Sequence, residues 1–124
     1  MKINQVSKEC GLSIDTIRYY ERIGLVTVEK GDYFKNYDAE TVSTLTAIKK
    51  LRFAGLTLAE IKKIANVDKE VTEISSNELA SVTEIINRAI VSADTKLKEI
   101  TESKQLLEKI KRKLALVDYE NSQR

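Results

Sequence analysis

The apolar residues of this chain keep to spacings of three and four almost from its start, and that rhythm predicts a succession of helices. Ile3, Val6 and Cys10 line one face of a short first helix, with Asn4 as its cap and Gly11 as its stop. Leu12 points inward. Ser13 then caps a second helix, Ile14 to about Ile23, with Ile14 and Ile17 on one face and Thr16, Arg18, Tyr19 and Arg22 on the others. Tyr19 and Tyr20 are adjacent and point about 100° apart, so one belongs to the core and the other to the surface. Gly24 ends the helix. Two short helices joined by a glycine turn make a helix-turn-helix, about residues 4–23.

The rhythm then changes. Leu25-Val26-Thr27-Val28 is rich in β-branched residues and predicts a strand, Lys30-Gly31-Asp32 a turn, and Tyr33 to Tyr37 the return strand of a small hairpin, or wing. Asp38 caps a third helix, Ala39 to Ala54, with a stripe of Val42, Leu45, Ile48, Leu51 and Phe53. Gly55 stops it. Thr57-Leu58-Ala59-Glu60 is a capping box that opens a fourth helix through Ile61, Ile64 and Ala65.

Residues 67–77 are acidic and predict a connector, irregular but for a helical turn. From Glu78 to Tyr119 nothing breaks a helix. Leu79, Val82, Ile86, Ala89, Ala93, Leu97, Ile100, Leu107, Ile110, Leu114 and Val117 form a seam that shifts by one residue between Ala89 and Leu97, with Lys104 at one seam position. Some forty residues of helix span about 60 Å, more than a small head can cover. Each buried Leu or Ile is worth roughly 1.5–3 kcal/mol, so the seam favours a partner helix, most simply a second copy related by two-fold symmetry. The alternative is a helix folded back on its own head. The fold class is therefore all-α, mainly helical, with a small β-hairpin wing: a winged helix-turn-helix head (1–66), a connector (67–77), a long antiparallel coiled-coil dimerisation helix (78–119) and a tail (120–124).

Composition permits this and narrows it. The chain has no proline and few glycines, so long helices go uninterrupted. Net charge is only +2. Residues 1–66 carry 11 Lys/Arg against 8 Asp/Glu, residues 67–124 carry 10 against 11, and Asp68 to Glu84 holds five acids and one base. The front half is the likelier partner of a polyanion. Cys10 is the single cysteine, so no internal disulfide forms, and no signal peptide or membrane span is evident; a cytoplasmic setting is expected. Histidine is absent and no glycine-rich phosphate loop appears, which argues against an enzyme. No catalytic residue, metal site or cofactor is expected. Cys10 reads as a small buried hydrophobe rather than a sensor.

The chemistry left over is that of DNA recognition. The second helix suits the major groove. Ser13 and Thr16 can hydrogen-bond base edges or phosphates, Arg18 and Arg22 can pair with phosphate or guanine, and Tyr19 can reach the backbone. The wing offers Tyr33, Lys35 and Tyr37. A dimer with two such heads reads a palindrome.

At these residues the chain resembles the MerR family of bacterial transcription regulators. Ile14-Asp15-Thr16-Ile17-Arg18-Tyr19-Tyr20-Glu21-Arg22-Ile23-Gly24-Leu25 is very close to that family's recognition-helix signature, Phe34-Lys35-Asn36-Tyr37-Asp38 is similar to its wing exit, and Leu51 to Ile61 resembles its second helix pair. The resemblance implies a homodimer that binds double-stranded promoter DNA and bends and untwists it, acting on RNA polymerase through the DNA, under an effector. By family position Arg18, Tyr19, Lys35 and Tyr37 are the leading contacts. The wing departs from the pattern: it is short, lacks the usual prolines, and has Phe34 for a tyrosine and Lys35 for an arginine. Residues 67–124 hold no Cys or His, so no copper, zinc, mercury or iron–sulfur sensor is expected, nor an effector domain after the coil. The small-molecule effector is not named by the residues. An architectural or recombination directionality factor is the alternative in another class, and a coiled-coil adaptor a third.

Overall fold

The structure, a computed structural model, describes residues 1–30, 35–69 and 74–124. Among them the order is α1 (Ile3–Cys10), α2 (Ile14–Arg22), β1 (Glu29–Lys30), β2 (Lys35–Asn36), α3 (Ala39–Phe53), α4 (Leu58–Lys69) and α5 (Ser76–Ser122). The chain is mainly helical. It divides into two compact units, Met1–Ala89 and Ile90–Arg124, and α5 contributes to both.

The first unit is built by capped helices. Ser13 Oγ accepts from the Thr16 backbone N–H at 3.1 Å, and Asp38 Oδ1 accepts from that of Thr41 at 2.8 Å. Thr57 and Glu60 satisfy each other's backbone N–H at 2.9 and 3.1 Å, the reciprocal capping box that opens α4. Asn4 is not a cap. Lys2 takes the extended N-cap conformation (φ −81°, ψ 155°) without a side-chain cap bond, and its carbonyl starts α1. Asn4 therefore lies inside the first turn.

α2 closes in a Schellman motif. Gly24 takes φ 82°, its N–H donates to the Glu21 carbonyl at 3.1 Å, and the Leu25 N–H donates to the Tyr20 carbonyl at 2.9 Å. Gly55 and Leu56 end α3 with the same two bonds. Leu25 and Leu56, the residues that follow these glycines, are both buried. This corrects the strand expected at 25–28. Leu25 and Val26 are core residues, Leu25 closes α2, and strand pairing begins only afterwards, with Glu29 opposite Asn36 and Lys30 opposite Lys35, antiparallel. The turn between them lies outside the described residues.

Val6, Ile17, Leu45 and Tyr37 are the largest fully buried side chains, and Cys10, Tyr20, Ile48, Leu56 and Ile61 join them in one core. Leu12 packs partly buried against it. Phe53 does not belong to the α3 stripe. It is 89% exposed, because it falls five residues past Ile48 and so off the face that Leu45 and Ile48 bury. α5 starts at Ser76 rather than Glu78, behind a Ser75 cap that accepts from the Glu78 N–H at 3.2 Å, and it runs to Ser122. α4 extends to Lys69, so part of the expected irregular connector is helix. Val82 is buried, with Ile85 and Ala89 partly buried against the core. Ile86, expected on the seam beside them, stays exposed.

Candidate nucleic-acid interface

α2 presents two distinct faces. Ile17 and Tyr20 are buried, while Ser13, Arg18, Tyr19 and Arg22 are exposed and Thr16 is half-buried. Of the adjacent tyrosines, Tyr20 is the core residue and Tyr19 the surface one, 42% exposed. Their rings lie 6.3 Å apart at 48°, and the Arg22 guanidinium sits 5.4 Å from the Tyr19 ring centroid, a cation–π contact that stiffens both side chains on the open face. Ser13 Oγ and Thr16 Oγ1 are 2.7 Å apart at the N-terminus of the helix, where backbone N–H groups also point outward.

Two links hold α2 from outside. Lys62 Nζ, from α4, donates to the Ile23 carbonyl at 3.0 Å, placing a cation at the negative end of α2. The Tyr37 hydroxyl donates to Glu21 Oε2 at 2.8 Å. Burial raises the Tyr37 hydroxyl pKa well above the usual phenol range, the bond to Glu21 and its negative charge add to the effect, and the Arg18 charge works against it.

Tyr37 thus differs from the sequence expectation. Its side chain is in the core, 2% exposed, with the hydroxyl turned to α2, so it is not an open surface for DNA. Neither Glu21 nor Lys62 stood out in the sequence as a residue that holds α2. Glu21 lies four residues after buried Ile17, at the edge of the α2 core face, and that is the only signal that marked it. Ser13, Thr16, Arg18, Tyr19 and Arg22 are brought together on one helix. Lys35 lies on β2, whereas its side chain and all of Tyr33 fall outside the described residues.

Among the described residues no three His, Cys, Asp or Glu side chains gather closely enough to hold a metal ion, and no helix is long and apolar enough to cross a membrane. Cys10 is buried, with Sγ 3.6 Å from the Val42 carbonyl oxygen and 3.7 Å from Thr46 Oγ1.

A capped helix with a polar, cationic open face, held against a second helix pair, defines a helix-turn-helix protein. Residues 1–67 match the family model for MerR HTH family regulatory proteins, and the chain belongs to that family. The HTH-type transcriptional regulator HmrR of Rhizobium leguminosarum bv. viciae is 31% identical over 109 residues, 87% of this chain and 81% of that protein. The mercuric resistance operon regulatory protein of Bacillus cereus is 40% identical over 70 residues, 53% of this chain and 52% of that one. Among solved structures, that of HiNmlR, a MerR family regulator lacking the sensor domain and bound to promoter DNA, has a TM-score of 0.71 at 18% identity over 87% of this chain and 80% of the other, a likeness of fold. These relatives are regulators rather than enzymes, and the family does not favour the architectural alternative.

Proposed function

We propose that the chain regulates transcription by binding a palindromic promoter site as a homodimer, one α2 in each of two major grooves, and by distorting the duplex so that RNA polymerase meets both promoter elements. One observation carries the reading: α2 buries Ile17 and Tyr20 and leaves Arg18, Tyr19 and Arg22 exposed beside the Ser13–Thr16 pair. An arginine and a tyrosine on the open face of a rigid helix suit phosphate and base edges, and the cap places N–H dipoles toward the same anion. Lys35 on β2, and Tyr33 two positions before it in the sequence, are proposed to touch the flanking backbone. Tyr37 acts from within.

The dimer rests on the second unit. Leu97, Ile100, Leu107, Ile110, Leu114 and Val117 are 45–67% exposed in the single chain, and burying them is the strongest force available to that helix. Bending a promoter costs on the order of several kcal/mol, offset by the added contacts of two linked heads. No residue here names the effector.

The test is a mobility shift on the DNA upstream of the protein's own gene. The wild type shifts it with steep salt dependence, and Arg18→Ala weakens binding by about 1–3 kcal/mol, roughly five- to 150-fold, with an unchanged melting temperature. Absence of any shift by the wild type at low salt would sink the proposal.

A further inference from the structure

We infer that the far end of α3 extends the DNA interface: Lys49 meets a phosphate at the edge of the groove that α2 enters, and the Phe53 ring covers the neighbouring sugar. The inference rests on the DNA-binding reading above and deepens it by naming two further contacts.

Val42, Thr46, Lys49 and Phe53 follow one another at steps of four, three and four, so they share one face of α3. That face runs alongside α1 and in the same direction. The Tyr37 N–H, just before α3, donates to the Met1 carbonyl, and Cys10 Sγ lies 3.6 Å from the Val42 carbonyl oxygen and 3.7 Å from Thr46 Oγ1. α1 ends at Cys10, and α3 continues. One turn on, the Lys49 ammonium reaches Gly11, in the turn of the helix-turn-helix, where it would collide with a methyl group. Two residues after Gly11, Ser13 caps α2. Phe53 stands four residues past Lys49, about 6 Å further at ~1.5 Å per residue. It lies beyond the end of α1 and is 89% exposed.

This end of α3 is cationic. No acidic residue lies between Thr41 and Ala59, whereas Lys49, Lys50 and Arg52 fall there and are exposed. Arg52 donates to the Leu56 carbonyl at 3.0 Å and so serves the turn that closes α3. Among the described residues no hydrogen bond or ion pair holds the ammonium of Lys49 or Lys50, and Glu9 and Asp15, on the two helices that flank Gly11, make no ion pair with either. An exposed ring among unpaired cations suits a sugar–phosphate backbone, which sets apolar sugar edges between anions. Continuity points to the same partner. The major groove is about 12 Å wide, close to the diameter of one helix, so a helix seated in it has phosphates on both sides. An ammonium beside the first residues of α2 is within side-chain reach of one of them. Such contacts fix position and carry no sequence information.

The experiment measures affinity of the full chain for the upstream fragment and for an unrelated duplex over a series of salt concentrations, alongside thermal melting, for the wild type, Lys49→Ala, Lys49→Arg and Phe53→Ser. Lys49→Ala is expected to reduce the log–log salt slope by about two, one phosphate for each head of a dimer, and to weaken binding to both duplexes by roughly tenfold or more at ~0.1 M salt. Lys49→Arg keeps the charge and the slope. Phe53→Ser is expected to bind roughly tenfold more weakly at an unchanged slope and to melt no lower than the wild type, since its ring is exposed in the free protein. A Lys49 that served only the carboxyl end of α1 would lower the melting temperature and leave the slope alone. That result, or a Phe53→Ser variant that binds as the wild type does, overturns the inference. Should Lys49→Ala fail to fold, Lys49→Gln takes its place with the same expected loss of slope. A wild type that does not bind DNA overturns the regulatory reading and this inference together. A wild type that binds, weakens in Arg18→Ala and keeps its slope in Lys49→Ala overturns only the latter.

Discussion

Gly11 and Gly24 both hold left-handed backbone, at φ 67° and 82°, but a methyl group at each would meet different surroundings. At Gly11 it would collide with the ammonium end of Lys49, whereas at Gly24 it would meet nothing within 4 Å. The Lys49 ammonium ends a flexible chain and can move aside at small cost. The backbone cannot, and left-handed conformation costs a residue with a side chain about 1–2 kcal/mol. Gly11→Ala and Gly24→Ala are therefore expected to lower the melting temperature by similar amounts, roughly 4–8 °C per kcal/mol for a unit of this size. Lys49→Ala should not rescue Gly11→Ala; rescue would show that the contact dominates. The capping carboxyls give a second expectation. A hydrogen bond from the Thr41 backbone holds Asp38 below its ordinary 3.8, and one from the Thr57 backbone holds Glu60 below its ordinary 4.5. Groups depressed on folding stabilise fully above their unfolded values, so this contribution is present above pH 4.5 and is lost as pH falls below 3.8 through the folded values. Asp38→Asn with Glu60→Gln keeps acceptors that do not titrate there. Its melting temperature should fall less than the wild type's over that acid window. An equal fall would remove these caps from the account.

At the scale of elements, most caps and stops were legible because each is a local, stereochemical signal, though Asn4 caps nothing and lies inside the first turn of α1. Ser13, Asp38 and the Thr57–Glu60 box all satisfy backbone N–H groups where their residue types say they should. The strand at 25–28 was misread because Leu25 fits a pleated surface and a helix closure equally well, and only the tertiary core decides between them. Tyr37 was placed at the surface because nothing in its neighbours reveals that its hydroxyl meets a residue sixteen positions earlier. The Ser75 cap was visible as Ser-x-x-Glu but hidden by the acidic run around it. The opening turns of α5 were assigned to a seam, yet Val82 is 4% exposed within the first unit, and Ile85 and Ala89 pack partly buried against its core. Val82→Ala should therefore destabilise the first unit by roughly 1–3 kcal/mol through lost burial and a residual cavity. Arg88→Ala breaks an ion pair with Glu60 in which Arg88 is largely exposed, and it should lower the melting temperature less. Melting curves of the two variants that ranked them the other way would mean that α5 is held by charge rather than by packing.

At the scale of the whole molecule, the proposed dimer is expected to pair in the direction that charge favours. The start of α5 carries exposed Glu78 and Glu84, and residues 109–113 near its end hold Lys109, Lys111, Arg112 and Lys113. Two copies packed antiparallel would bring the acidic start of each helix toward the basic 109–113 stretch of the other, which lies just before a final turn without a base. A parallel pair would set like against like at both ends, at a cost. Sign reversal separates the two arrangements. Glu78→Lys with Glu84→Lys, or Lys111→Glu with Lys113→Glu, should each weaken an antiparallel dimer by roughly tenfold at low salt, since surface charge pairs are worth up to about 1 kcal/mol each. All four changes in one chain should restore the dimer, because the acidic and basic ends have only exchanged places. In a parallel dimer each end faces its own copy, so none of the three variants would differ much from the wild type. Sedimentation equilibrium at low and high salt reads the difference directly, and the losses should shrink as salt screens them. Four equal dissociation constants would leave the apolar positions in place as the force for pairing and reverse the direction proposed for the two helices.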